Sequence, residues 1–195
     1  MTDSRAMRIT KTRVAVVGAT VAVATGMVAA GSSPAQDYNV PKNKKIKIVL
    51  KGKDPKFKGP KTIQRGAKLT IINKTSPRKI GPHTFTFIAA DQRPQTRKEM
   101  KACGEDLAGI CGEIAKAHKV VFPDTPDGPV LVKKHLVKAG KKGWDKMFDK
   151  GVKGDSWYTE TKGEKLGQKV TAPVGTKLTY MCVVHPFMQG SITVK

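Results

Sequence analysis

Acidic residues are scarce in this chain of 195 residues: 15 Asp and Glu stand against 37 Lys and Arg, and the formal charge is +22. An excess of this size favours an acidic protein, an anionic cell surface or a polyanion as the partner. The sequence has no basic helix and no basic patch interleaved with aromatic residues, so the charge does not indicate nucleic acid. Charge of this kind determines association rates and the sign of the partner's charge. It does not indicate which chemistry the protein performs.

Aromatic residues are also few, at 6%, whereas Gly (19) and Pro (12) are frequent. This composition favours a turn-rich β protein over a helical bundle. The length allows one ordinary domain with extra segments but is too short for two large domains. We find no internal repeat and no low-complexity tail.

The N-terminal segment resembles a targeting sequence more than part of a fold. Four basic residues precede an uncharged apolar run at 14–31, and Ser33 and Ala35 then form an A-x-A-like pair. This layout is typical of a secretory signal peptide cleaved after Ala35, although 18 apolar residues also suit an uncleaved anchor. No twin-arginine pair is present. We therefore expect an extracytoplasmic protein, periplasmic, secreted or membrane-anchored, with a mature chain at 36–195 that carries a charge of +19.

Cysteine is limited to Cys103, Cys111 and Cys182. Exported proteins usually pair their thiols, and an odd count leaves one thiol that needs another role. The economical solution is a Cys103–Cys111 disulfide, with Cys182 kept as a metal ligand.

Alternating apolar residues predict strands on both sides of a central segment. "KIKIVLKG" (45–52), the region around 62–73, "HTFTFIAA" (83–90), "QKVTAPVGTKLTYMC" (168–182) and "GSITVK" (190–195) have this pattern. Residues 91–156 differ, with helix-forming stretches and too few apolar residues for a separate core. We interpret them as a partly helical insertion in one β domain.

The Cys103–Cys111 pairing constrains that insertion. Eight residues of straight α-helix rise roughly 12 Å, whereas the Cα atoms of a disulfide lie no more than about 7 Å apart. A disulfide therefore requires a break in the helix, and Gly104, Gly109 and Gly112 are candidate positions for it.

The C-terminal stretch "YMCVVHPFMQG" places three soft or borderline donors, Cys182, His185 and Met188, within seven residues. Pro186 and Gly190 favour a tight turn between two strands. We expect the fourth ligand to be His83, because it begins a strand and shares its face with Phe85 and Phe87 at the rim of an apolar core.

This donor set selects copper. Zinc sites use Cys, His and carboxylates, and methionine is not an ordinary zinc ligand. Two imidazoles and one thiolate with a weak axial thioether form the blue-copper electron-transfer site. His118 and His135 have no partner pattern and are interpreted as surface or packing residues. The spacing of Asp145, Asp149 and Asp155 fits no EF-hand loop.

The motifs "CVVHPFMQG" and "GPHTFTF", with "IINKT" upstream, resemble those of the cupredoxins, the family of plastocyanin and azurin. The C-x-x-H-x-x-M loop is similar to that of amicyanin. The resemblance covers roughly residues 45–90 and 168–195 and implies an all-β Greek-key sandwich that holds one mononuclear copper ion. It implies equatorial ligands His83, Cys182 and His185, an axial Met188, and an electron port at His185 ringed by Pro186 and Phe187. Where the family often has Asn after its first histidine, this chain has Thr84.

These patterns predict an exported type 1 copper protein that carries single electrons between acidic redox partners and is not itself an enzyme. The alternative is copper binding or delivery through the same ligands. A small copper enzyme is disfavoured because all four positions are filled by protein side chains. A plain binding domain with a lost site is disfavoured by the intact ligand set. No small-molecule substrate and no nucleic acid is predicted.

Overall fold

A computed structural model describes residues 40–122, 130–140 and 142–195. The predicted signal or anchor segment at 1–35 lies outside these residues. The described strands are β1 (Lys44–Lys51), β2 (Asp54–Lys58), β3 (Thr62–Ile63), β4 (Lys68–Asn73), β5 (His83–Phe87), β6 (Val120–Val121), β7 (Leu131–Val132), β8 (Leu136–Val137), β9 (Ser156–Thr159), β10 (Lys165–Lys169), β11 (Lys177–Met181) and β12 (Gln189–Val194). The helices are α1 (Pro77–Ile80), α2 (Arg97–Asp106) and α3 (Ile110–Ala117), with a 3₁₀ turn at Ala90–Gln92.

Four strands form the first sheet, in the order β10-β4-β1-β2. Its side chains alternate as the sequence predicts. Ile46 and Ile48 of β1 and Leu69 and Ile71 of β4 are buried, while the intervening positions are mostly charged or polar and exposed. The sheet therefore has one face in the core and one face toward solvent.

Six strands form the second sheet, in the order β3-β12-β11-β5-β9-β8. Every residue of β5 and β9 is buried, whichever way its side chain points. Phe85 and Phe87 face the first sheet and belong to the larger core. Ile88, Met181 and Val183 belong to a second core with residues of the insertion. Both faces of this sheet are therefore covered at β5 and β9, whereas the β3–β12 edge is partly exposed.

The chain crosses repeatedly between the two sheets: β3 is followed by β4 in the other sheet, and the chain returns at β5. Likewise β10 lies in the first sheet between β9 and β11 of the second. These crossings match a Greek-key sandwich, and the predicted all-β fold with a partly helical insertion is confirmed. Within the described ranges, no helix has the length and apolarity to span a bilayer.

The insertion contains α2 and α3, which cover the outer face of the six-stranded sheet. Helix α2 begins with a capping box in which Thr96 and Glu99 bond each other's backbone N–H groups. The helix breaks after Asp106, where Leu107 adopts a left-handed conformation and Gly109 has a φ of 59°. The break brings the Cα atoms of Cys103 and Cys111 to 5.4 Å, and their disulfide is present.

The insertion also contributes to the sheet itself, which the sequence did not indicate. Strand β8 at Leu136–Val137 pairs with β9, and β9 pairs with β5. Trp144 is fully buried in the larger core and donates its indole N–H to the Leu69 carbonyl at 3.3 Å. Residues 91–156 are therefore integrated with the sandwich.

Candidate metal centre

Adjacent strands of the six-stranded sheet position the first two candidate ligands. His83 is the first residue of β5, and Cys182 directly follows β11. The two strands are antiparallel, with Met181 opposite Thr86 and Tyr180 opposite Phe87. This register places the end of β11 beside the beginning of β5, so residues separated by 99 positions in sequence meet.

A closed loop between β11 and β12 positions the other two. Met188 donates its backbone N–H to the His185 carbonyl at 2.8 Å, and Cys182 donates to the Met188 carbonyl at 3.0 Å. Cys182 and Met188 are both buried and belong to the same core cluster. Spacing of three and three residues thus folds the loop back on itself at one end of the sandwich.

The donor atoms of three residues converge. The Cys182 Sγ lies 3.9 Å from His83 Nδ1 and 3.7 Å from His185 Nδ1. The two imidazole rings are 4.9 Å apart between centroids. All three donors lie within 4.8 Å of one another, which is a metal-binding arrangement. The thiol of Cys182 is completely buried.

These separations suit a single ion. With bond lengths of about 2.0 Å to nitrogen and about 2.3 Å to sulfur, a trigonal angle places the two donors roughly 3.7 Å apart. His83 Nε2 is buried without a hydrogen-bond partner, so the ring is oriented by packing and by its Nδ1 side. The set contains no carboxylate and includes a buried thioether, Met188, which favours copper over zinc. The four side chains form a candidate site for one copper ion.

Burial determines the proton affinity of the donors. It lowers the pKa of His83 to about 4, with a further contribution from the nearby His185. Burial also lowers the pKa of His185, and the backbone of Ile80 partly opposes that effect. Burial therefore favours the neutral form of both rings, which is the form that binds a metal. Burial raises the pKa of the Cys182 thiol, while hydrogen bonds from Thr84 and neighbouring backbone groups lower it.

Thr84 makes two contacts with the residues that directly follow β11. Its backbone N–H donates to Cys182 Sγ at 3.3 Å. Its hydroxyl accepts the Val183 N–H at 2.8 Å. Hydrogen bonds around a ligand sulfur orient it and tune its electron density. Thr84 therefore donates a hydrogen bond to the thiol and satisfies the backbone N–H beside it.

Asn73, at the end of β4, holds the segment that leads to His83. Its Oδ1 accepts the Thr75 N–H at 2.9 Å, and its Nδ2 donates to Thr159 Oγ1 at 3.3 Å. Thr159 lies opposite His83 in the β5–β9 register. The motif "IINKT" thus connects the first sheet to the strand of the first histidine.

The residues of the predicted electron port differ in their exposure to solvent. His185 is half-buried, and Phe187 is 51% exposed with its ring 5.8 Å from that of His185. Pro186 is buried, because α2 passes over it at Gly104. The insertion therefore covers one side of the ligand loop, and Gln189 fastens the loop by donating to the Pro94 and Pro186 carbonyls at 2.8 Å.

His118 and Asp155 have structural roles that the sequence did not specify. His118 is buried and contacts the Lys134 carbonyl at 2.6 Å and Ser156 Oγ at 2.7 Å. Asp155 is fully buried and accepts backbone N–H groups of Ala139, Asp145 and Lys146 at 3.0 Å each. Backbone amides therefore surround its carboxylate. Since no short-range pattern links Asp155 to Ala139, the sequence offers no signal for this contact.

Comparison with solved structures finds auracyanins. A dithionite-reduced auracyanin from the photosynthetic bacterium Roseiflexus castenholzii has 15% identity and a TM-score of 0.39, over 79% of this chain and 98% of that one. Auracyanin B has 13% identity and a TM-score of 0.37, over 79% and 88%. Auracyanin A, described as a "blue" copper protein from Chloroflexus aurantiacus, has 17% identity and a TM-score of 0.36, over 77% and 98%.

No protein-family model matches the chain. No curated protein matches it either. The nature of the metal is therefore inferred from the donor atoms of this chain.

Proposed function

We infer that the chain is an extracytoplasmic type 1 copper protein that carries single electrons between redox partners. One observation carries this proposal: two imidazole Nδ1 atoms approach one fully buried thiol sulfur at 3.7 and 3.9 Å. The proposed equatorial ligands are His83, Cys182 and His185, and the proposed axial ligand is Met188. Bound copper would supply a one-electron Cu(II)/Cu(I) couple, for which this donor set is suited.

The protein's own contribution is a rigid, dry frame. His83 is held in a strand buried on both faces, and the loop of the other ligands is closed by two backbone hydrogen bonds. Thr84 fixes the sulfur by its N–H, and the packed cores exclude water from Cys182. Such a frame moves little when the charge of a bound ion changes, and this lowers the reorganisation energy of electron transfer.

The proposed port is His185 with Phe187 beside it, the part of the ligand loop that α2 leaves uncovered. Arg78 and Lys79 lie on α1, next to Ile80, whose backbone contacts His185. These charges add to the net positive charge of the chain and support an acidic redox partner. We expect reduced protein to react faster with an anionic oxidant such as ferricyanide than with a cationic cobalt(III) complex, and added salt to reduce the difference.

The direct test is the visible spectrum of the copper-loaded chain. We expect an intense blue band from sulfur-to-copper charge transfer, which Cys182→Ser abolishes completely. The matched control is the double variant Cys103→Ser/Cys111→Ser, which removes the other two cysteine sulfurs and keeps the band. A band that survives in Cys182→Ser, or that never forms with stoichiometric copper, contradicts the proposal.

Copper delivery is the second candidate, and a cavity beside the site favours it. A cavity of about 490 Å³ is lined by Thr84, whose backbone N–H contacts the Cys182 sulfur, by Val183 and Val184, and by apolar residues of the insertion. A partner entering there would reach the flank of the ligand loop. Transfer of Cu(I) from the protein to bathocuproine disulfonate within minutes supports delivery, whereas retention over hours with fast ferricyanide oxidation supports electron transfer.

A further inference from the structure

The outer face of the four-stranded sheet is covered with lysine. Ile46, Ile48, Leu69 and Ile71 point into the core, so the residues that alternate with them point to solvent. The β1–β2, β1–β4 and β4–β10 registers align these outward positions across all four strands. The lysines on them are Lys45, Lys47, Lys51, Lys56, Lys58, Lys68, Lys165 and Lys169, and we call this surface the lysine face.

The charges of the lysine face are poorly compensated. Lys47 lies directly opposite Lys58, and Lys68 lies directly opposite Lys169. Like charges in such cross-strand pairs destabilise a sheet. Asp54 is the acidic residue among the aligned outward positions. Among the described residues, the one ion pair within 4 Å joins Lys101 and Glu105 on α2, which packs on the other sheet. No lysine of the face therefore has an acidic partner within that distance among these residues.

The lysine face is separate from the metal centre. His83 begins β5, Cys182 follows β11 and Met188 precedes β12, and all three strands belong to the six-stranded sheet. The lysines belong to the other sheet and point away from the shared core. A partner on the lysine face would therefore leave His185 and Phe187 accessible.

The composition of the face favours a membrane over a protein as its occupant. Its cations are all lysine, and its apolar outward residues are Val49 and Ile72, with no aromatic side chain. Protein interfaces are depleted in lysine and depend on arginine and aromatic anchors. Anionic bilayers instead attract lysines as individual point charges, with little demand for shape. Four strands with about 4.8 Å spacing give a surface roughly 14 Å by 20 Å, on which several ammonium groups can reach one plane of headgroups.

We propose that the lysine face binds the surface of an anionic phospholipid bilayer and holds the protein there with its copper end free. This interaction requires no metal, so the two proposals can fail independently. Absence of vesicle binding would leave the proposed electron-carrier function standing, and loss of the blue band would leave vesicle binding unchanged.

The test is co-sedimentation of the full chain with vesicles at about 0.1 M salt. Vesicles of phosphatidylcholine alone are compared with vesicles containing 30% phosphatidylglycerol. Lys45→Gln/Lys47→Gln/Lys56→Gln/Lys58→Gln removes half of the face. The matched control, Lys98→Gln/Lys116→Gln/Lys150→Gln/Lys153→Gln, removes the same charge from exposed positions of the insertion. Any binding through the apolar run at 14–31 and the four basic residues before it is common to all three proteins, so the difference between the two variants reports on the lysine face.

We expect the parent chain and the control to bind phosphatidylglycerol vesicles at least ~10-fold more tightly than neutral ones, since each lysine near an anionic surface contributes substantially. The face variant should lose most of that preference. Salt at about 1 M should abolish it in all three. Equal losses in both variants, or no preference in the parent chain, overturn the proposal. If the face variant instead loses only binding to polyglutamate, the face docks an acidic protein and the membrane is excluded.

Discussion

The outward faces of the two sheets differ completely, although both sheets bury one face against the same core. In the four-stranded sheet that outer face is solvent-exposed and lysine-rich. In the six-stranded sheet it is covered by the insertion, and Ile88, Met181 and Val183 pack against the disulfide and Phe148 there. The candidate ligands all come from the doubly covered sheet. Chemistry that needs a dry, fixed geometry is placed where water is excluded on both sides, and charge is placed on the other sheet.

Among the substitutions that compare the two outer faces, removing an aromatic ring from the second core should cause the largest loss of stability. Phe148 is 1% exposed and closes the outer face of the six-stranded sheet. We expect Phe148→Ala to lower the free energy of unfolding by about 3–5 kcal/mol, because the cavity cannot be refilled. Val49→Ala, at an outward position of the other sheet, should lower it by less than about 1 kcal/mol. Urea denaturation measures both, and equal losses would show that the two faces are equivalent.

Replacing the hydroxyl of Thr84 should affect both stability and the metal site. Thr84→Val leaves the buried Val183 N–H without its acceptor, at a cost of about 1–3 kcal/mol. Because Val183 adjoins Cys182, we expect the visible band of the copper-loaded variant to shift as well. Thr86→Val is the matched control on the same strand and face, where the hydroxyl contacts Ser156. It should lower stability without shifting the band; a shift in both variants would remove the special role of Thr84.

Acidification should weaken the covered side of the six-stranded sheet through His118. Burial lowers the pKa of His118, and the nearby His135 and Lys134 side chains lower it further, whereas its bond to the Lys134 carbonyl raises it. The unfolded chain therefore binds a proton first, so stability is full above about pH 6.5 and declines below it, by up to about 1.4 kcal/mol per pH unit. We expect His118→Gln to be less stable at pH 8 but less sensitive to pH between 6.5 and 5 in thermal denaturation. An unchanged slope would show that His118 does not titrate on unfolding.

The smallest expected effect is on the lysine face. Lys47→Glu converts the like-charge pair with Lys58 into an opposite-charge pair, and we expect a gain of about 0.2–1 kcal/mol that decreases in high salt. Lys98→Glu, on an exposed helix position, is the control for net charge alone. A gain of the same size in the control would mean that overall repulsion, not the cross-strand pair, determines the result.

Local patterns in the sequence predicted the parts of the molecule that depend on short-range geometry. The period-two strands, the C-x-x-H-x-x-M loop and the break between Cys103 and Cys111 follow from residues close together in the chain. His83 could be predicted as a ligand because its strand begins with this imidazole and continues with core phenylalanines. Its approach to Cys182, across 99 positions, is the long-range contact that the resemblance implied.

Contacts that join distant, unpatterned segments were not predictable. Asp155 is satisfied by three backbone N–H groups from a loop without periodicity, and the burial of Pro186 depends on where α2 crosses the ligand loop. The second core joins Ile110 and Ile114 of α3 to Ile88 and Phe148, which are too far from that helix in sequence to indicate a shared surface. Tertiary packing alone brings such residues together.

The strand that carries the thiol has Cys182 in one core and its neighbours Met181 and Val183 in the other. A shortened chain without the helical segment would present those two neighbours to water, directly behind the sulfur. The helical segment is therefore required to keep water from the back of Cys182, and the same ligand loop placed in another sandwich would need equivalent packing behind its cysteine.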